Sequence, residues 1–288
     1  MRLGLLNMMP DPALRVTERQ FARLCGRDGP DDLVLFGVAG VSRGPTVAAH
    51  VAERYRDAAA IPTADLDVLV ISGTNVGDPH LPGQPFWRGL REVFAHVSAT
   101  GLPTLFSCLA THAFLLAEHG QERRPVVPKV WGVFPHDLPR PGHPLVAGLD
   151  APVPVPHSRH NHLDAAQFAA AGLTVLLDSP AVGPHLAVAA DGRRLFLQGH
   201  PEYEAVSLLK EYKREVGRWQ GGERPDFPPL PAGYLDGPAT TLLAAHAAAC
   251  RAGPPGPPLP EAAVTAGLAA PWAASARRIV GRWLASLT

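Results

Sequence analysis

Two short stretches of the chain combine residue types that can do nucleophilic chemistry. Cys108 stands where an apolar run, TLF, is followed at once by the helical pattern LATHAFLLA. A strand that turns directly into a helix exposes one side chain at the carboxyl end of a sheet. The N–H groups of the helix N-terminus beside it lower a thiol pKa and stabilise an oxyanion. A cysteine in an apolar run is more often a packed core residue. Phe106 and Ala110 also occupy the positions where many such elbows carry glycine. The second stretch is RLFLQGHPEYE, in which His200 and Glu202 follow the end of a strand. A histidine that accepts a thiol proton needs a carboxylate to fix its tautomer and stabilise the imidazolium, and positions i and i+2 across a strand end supply both. By itself this segment also reads as a surface histidine with a glutamate at a helix N-terminus. Taken together, the two stretches predict Cys108 as nucleophile, His200 as base and Glu202 as the acid that orients it.

Other chemically capable residues are weaker signals. Glu211 and Arg214 lie on the helix after His200, where a solvated i, i+3 ion pair is the plain reading. HSRHNH, residues 157–162, is rich in histidine, but metal sites usually draw on helix-spaced histidines or added Cys and carboxylates, and no metal is expected. His80, His112, His119, His136 and His143 carry no pattern and are expected in loops or on the surface. Cys25 and Cys250 fall in helical apolar settings and share no paired spacing with Cys108, so neither a disulfide framework nor a zinc ribbon is expected.

Elements able to position such residues are legible in the rest of the chain. Runs rich in Val, Leu and Ile at 2–7, 32–38, 66–72, 103–107, 173–177, 185–189 and 195–198 alternate with amphipathic stretches at 17–24, 86–97, 109–117 and 202–219. Strands apolar on both faces, alternating with helices, indicate an α/β fold with a mainly parallel sheet flanked by helices. Residues 1–220 are expected to form the catalytic α/β domain, broken by a β-rich excursion at about 121–162. Residues 221–288 read as a Pro/Ala-rich C-terminal extension on the same domain, with an alanine-rich helix, a polyproline-like spacer GPPGPPLP and a closing amphipathic helix.

The 288 residues, 46% hydrophobic and 18% charged, suffice for a full core and exclude a disordered tail. Lys plus Arg and Asp plus Glu both number 26, so no global field draws the protein to nucleic acid or an anionic membrane. No stretch has the length of a membrane span and the N-terminal run is short for a secretory core, so a cytoplasmic setting is expected.

The order LLNMMP, TERQF, VLVISGTNVG, FW with the cysteine downstream, VWGVFPH, PHSR and GHPEYE resembles the homoserine O-acyltransferases of the homoserine O-succinyltransferase type. The resemblance runs over about 2–219, and the final helix with Trp272 and Trp283 is similar to that family's C-terminal segment. It implies a class I glutamine amidotransferase-like, flavodoxin-like fold and an acyl-CoA-dependent acylation of the L-homoserine hydroxyl. The route would be ping-pong through an acylated Cys108, with acyl-CoA as co-substrate, no bound cofactor and a possible homodimer. Leu109 N–H and a backbone N–H near Gly77 would form the oxyanion hole. Arg214 would hold the amino-acid carboxylate and Glu211 the ammonium, with Ser158 and Arg159 of PHSR beside the site.

Gly77 stands where the family pairs glycine with succinyl transfer and glutamate with acetyl transfer. Physically, a glutamate there would fill the pocket and repel a distal carboxylate. The chain departs from the family in lacking the lysine after LNxMP, for which Arg15 is the expected substitute, and in residues 236–262, which have no evident counterpart among the motifs. Serine as acceptor, acetyl-CoA as donor, and a glutaminase using the same triad are the alternatives. A catalytically silent binding domain is a further one.

Overall fold

The computed structural model describes residues 1–253 and 256–288. Eight strands form one sheet among the described residues: β1 (Leu3–Leu6), β2 (Leu33–Gly37), β3 (Tyr55–Asp57), β4 (Val68–Ile71), β5 (Thr104–Ser107), β8 (Leu173–Leu177), β9 (Leu186–Ala189) and β10 (Arg194–Leu197). Their spatial order is β3-β2-β1-β4-β5-β10-β9-β8. The first six run parallel, and β9 and β8 close the edge antiparallel.

Because every central strand is buried on both sides, alternate residues feed two cores. Leu6, Phe36, Ile71, Phe106 and Phe196 face α3 (Trp87–Thr100) and α4 (Leu109–His119), where Phe106 stacks on Phe196 at 5.0 Å. Leu5, Leu35, Val70, Leu105 and Leu195 face α1 (Asp11–Leu24) and α9 (Ala273–Ala285), with Phe21, Ile279 and Trp283 fully or nearly buried. The closing helix is thus part of the sheet's own packing.

Between α4 and β8 the chain makes a separate antiparallel pair, β6 (Arg124–His136) and β7 (Val153–His162), followed by α5 (Ala165–Ala170). A third core joins Trp131 of β6 to Leu208, Leu209 and Tyr212 of α6 (Ser207–Gln220). It also takes in Leu243 of α7 (Gly237–Ala252), Val264 of α8 (Glu261–Thr265) and Trp272. Pro254 and Pro255 of the polyproline-like spacer lie outside the described residues.

Four elements differ from the sequence reading for identifiable reasons. α1 starts at Asp11, because Pro12 sits in the first turn, where a missing N–H costs nothing. α6 starts at Ser207 rather than 202, because 201–206 turn back on themselves and Ser207 Oγ accepts the Glu204 N–H at 3.0 Å. α2 (Pro45–Arg54) and the edge strand β3 were not foreseen, since ERYRD is polar and only half covered.

Candidate active site

β5 ends at Ser107 and α4 begins at Leu109, which leaves Cys108 alone at the turn with φ 52° and ψ −110°. Three hydrogen bonds fix this conformation. The Cys108 N–H donates to Leu197 O at 2.7 Å. The Thr111 hydroxyl is within hydrogen-bond distance of both Phe106 O, 3.0 Å, and Leu197 O, 2.9 Å. Phe106 is fully buried between Phe196 and Phe114, so a large residue at the usual glycine position is absorbed by the core instead of crowding the turn.

His200 and Glu202 come from the neighbouring strand end. The His200 N–H donates to Pro156 O at 2.7 Å, and Gly199 before it is so enclosed that a Cβ would stand 2.8 Å from that same carbonyl. His200 Nδ1 meets Glu202 Oε1 at 2.8 Å, its ring stacks on Tyr203 at 4.5 Å, and the Cys108 thiol is hydrogen-bonded to it. Burial alone would raise the Cys108 thiol. The His200 charge and hydrogen bond outweigh burial, with help from Arg159, and hold the thiol below its ordinary value. Burial would lower His200, but the charges of Cys108 and Glu202 lift it well above its ordinary value. Both shifts favour the thiolate and imidazolium, the form in which a cysteine is nucleophilic.

The glycine against the elbow is Gly73, just after β4. A Cβ on it would lie 3.2 Å from Cys108 Cβ and 3.4 Å from Leu109 N, so glycine leaves the space beside that N–H open. Gly77 is four residues further on, exposed, with open space where a side chain would project and with its carbonyl accepting from Asn161 Nδ2 at 3.0 Å. Gly73 is thus the glycine packed against the elbow, Gly77 lies further along the same loop, and Leu109 sits at the first turn of α4.

Glu211 faces the same region from α6 and is almost wholly enclosed. It accepts from Ser158 Oγ at 2.6 Å and Tyr203 Oη at 2.7 Å and is paired with Lys129 Nζ at 3.3 Å. Burial would raise this carboxyl, but Lys129 and the two hydroxyls keep it below its ordinary value, hence ionised. Arg214, one turn on, is about half exposed and paired with Glu215 at 3.5 Å, not with Glu211. Arg15 is exposed on α1, its carbonyl accepting from Arg19 Nη1. The cation at the LNMMP loop is instead Arg43, which donates to Met9 O at 2.5 Å and Asn7 O at 3.0 Å.

Arg159 is 3% exposed, and all three of its nitrogens are engaged: Nε with His157 Nδ1, Nη1 with Asn161 O and Nη2 with Val182 O. His136, expected on the surface, is fully buried with His157 and His185, and His112 is buried on α4 against Gln198. Arg159 can only donate, so His157 Nδ1 accepts and its Nε2 carries the proton toward His136 Nε2, 3.2 Å away. His136 Nδ1 then donates to Phe134 O at 3.0 Å. His185 Nδ1 accepts the Gly199 N–H at 3.0 Å. Burial holds all three rings neutral, His136 pushed down to about 4 and the other two well below their ordinary value. Among the described residues no group of three or more His, Cys, Asp or Glu is arranged to hold a metal ion.

The sequence reading left out Lys129, Tyr203, Gly73 and Arg123. The signal it could have used was the YxxxxxxxE spacing of Tyr203 and Glu211 around one helix start.

A family model described as homoserine O-succinyltransferase matches residues 1–288. The chain belongs to the homoserine O-succinyltransferase family. That match runs through residues 236–262, which the motifs had left without a counterpart. The chain is 44% identical over 292 residues to the homoserine O-succinyltransferase of Allochromatium vinosum, covering 99% of this chain and 82% of that protein. It is also 44% identical over 295 residues to the homoserine O-succinyltransferase of Thioalkalivibrio nitratireducens, covering 100% and 83%. Among solved structures, a glutamine amidotransferase from Methylobacillus flagellatus aligns with a TM-score of 0.55 at 14% identity, over 100% of this chain and 95% of that one. This family member therefore has the α/β fold of the class I glutamine amidotransferases. No helix among its described residues is long and apolar enough to cross a membrane.

Proposed function

We propose that the protein transfers the succinyl group of succinyl-CoA to the hydroxyl of L-homoserine through an acyl-enzyme on Cys108. The observation that carries this reading is the buried Cys108, His200, Glu202 hydrogen-bonded line at a strand-to-helix elbow, in a chain of this family. The Cys108 thiolate attacks the thioester carbonyl, and the oxyanion forms against Leu109 N–H and the main chain at Gly73. The C–S bond to CoA breaks and the leaving thiolate takes the proton of the His200 imidazolium. Neutral His200 then removes the proton of the acceptor hydroxyl as its oxygen attacks the Cys108 thioester, and collapse restores the thiolate and imidazolium.

The acceptor's ammonium is assigned to Glu211, a buried carboxylate whose existing partner Lys129 lies on one oxygen only. Its carboxylate is assigned to Arg214, which reaches solvent on the same helix. Glu202 holds Nδ1 so that Nε2 faces the thiol.

The test is intact mass after mixing with succinyl-CoA alone. A gain of one succinyl group, lost again when homoserine is added, is the expected result. Turnover only as a ternary complex, with no acyl-protein, would replace the ping-pong route. Hydrolysis of glutamine with no acyl transfer would replace the reading itself.

A further inference from the structure

A buried cation stands behind the loop that carries Gly77. Arg123, between α4 and β6, is 6% exposed and donates from Nε to Pro79 O at 3.3 Å and from Nη2 to Val76 O at 3.0 Å and to Asp78 O. Its partners are all neutral carbonyls. The nearest acidic side chain of that loop, Asp78, spends Oδ1 on the His80 N–H at 2.8 Å. Nη1 has no partner among the described residues, which distinguishes Arg123 from Arg159, whose three nitrogens are all engaged.

The stem of Arg123 is held on both sides: Gln167 Nε2 donates to Glu122 O at 2.8 Å, and Arg124 pairs with Asp164 at 2.7 Å. The guanidinium is close enough to the reacting centre for the Cys108 charge to act on it, and it in turn acts on His112 in the first turn of α4. The loop it holds through Val76, Asp78 and Pro79 begins at Gly73, which packs against Cys108, and passes through Gly77 with its open space. Asp78 is the one acidic side chain of that loop whose charge acts on the guanidinium, and a fixed guanidinium with one free edge is complementary to a further carboxylate.

We propose that Arg123 reads the distal carboxylate of the acyl group through its free Nη1, so that the donors selected are thioesters of dicarboxylic acids. This rests on the acyl-transfer reading above and names the charge partner that makes the donor succinyl. The three bonds to the Gly77 loop fix the distance between that cation and Cys108, so chain length is measured together with charge.

The test compares kcat/KM for succinyl-CoA with that for butyryl-CoA, which has the same chain length and no charge. The wild type is expected to favour succinyl-CoA. Arg123→Gln should lower the succinyl value about 100-fold, the loss typical of a broken buried charge pair, and the butyryl value about fivefold from loosening the loop. Arg123→Lys keeps the charge but cannot hold the loop and the ligand together, so succinyl-CoA should fall about tenfold more than butyryl-CoA. Parallel loss of both donors in either variant would make Arg123 a loop anchor and overturn the proposal. A wild type indifferent to the donor's charge would overturn it without any variant, should Arg123→Gln fail to fold. A wild type acylated by neither thioester would fail the underlying acyl-transfer reading as well.

Discussion

Cys108 and His200 are placed by main chain, one and three residues past a strand end, each tied to a carbonyl of a neighbouring segment, Leu197 O and Pro156 O. Glu211 and Arg123 are held by their own side chains: Glu211 by Tyr203 just ahead of α6 and by Ser158 and Lys129, 53 and 82 residues away, and Arg123 by carbonyls of the loop after β4, 44 to 47 residues away. The difference separates the two tasks of the site. On the proposed reading, chemistry is set by backbone geometry that tolerates little change, whereas substrate recognition is assigned to a layer of side chains that can be altered residue by residue.

The largest effect should come from the main-chain side. Cys108→Ala is expected to lower turnover by more than about 10³-fold and to prevent any acyl-protein mass, with the fold kept, since only a sulfur atom's volume is lost. Full activity would remove Cys108 from the mechanism. Glu202→Gln should follow, at about 10²-fold in kcat, because the imidazolium loses its counter-charge. The active pair exists between the lowered thiol pKa and the raised His200 pKa. Removing Glu202, which helps to raise His200, should therefore move the alkaline limb of the profile to lower pH. An unmoved alkaline limb would assign that limb to another group.

On the recognition side the expected losses are smaller and fall on KM. Glu211→Gln should raise KM for the amino acid about tenfold and leave KM for the thioester unchanged, and Arg214→Lys should do the same to a lesser degree. A change confined to the thioester would place α6 on the donor side.

The smallest effect is on stability. His136 has a folded pKa of about 4 against an ordinary 6.5, so the folded state binds fewer protons in that window. Stability is fully present above the ordinary value and is lost as pH falls toward 4. His157 and His185 act in the same direction. Melting should therefore drop between about pH 7 and about pH 5, with each ring contributing up to about 1.4 kcal/mol per pH unit. A flat melting curve across that range would mean that the three rings are not neutral in the folded protein.

The same division explains what the sequence made legible. The parallel sheet and the grouping of Cys108 with His200 and Glu202 could be read because they depend on local pattern: TLFSCLATH changes from strand to helix period within the segment, and His200 and Glu202 are two residues apart. The positions of Arg123, Lys129 and the buried His136 could not be read, because they depend on the course and register of β6 on β7, which shifts between Pro125 and Val130. RRPVVPKVW shows no alternation from which that register could be inferred. Gly73 and Gly77 illustrate the limit within one loop: both are glycines, but only the contact with Leu109 N distinguishes the one at the elbow.

The left-handed turn at Cys108 has a consequence for how such a chain changes over time. A residue with a side chain held at φ 52° and ψ −110° raises the energy of the native state by about 1–3 kcal/mol, and glycine in the same place does not. Selection for heat resistance alone would therefore replace Cys108 with glycine, and on the proposed mechanism only selection for turnover keeps sulfur there. A descendant that had lost its activity would be expected to lose its cysteine early while keeping Gly73, Thr111 and the phenylalanine cluster, so the geometry of the elbow would outlast its chemistry.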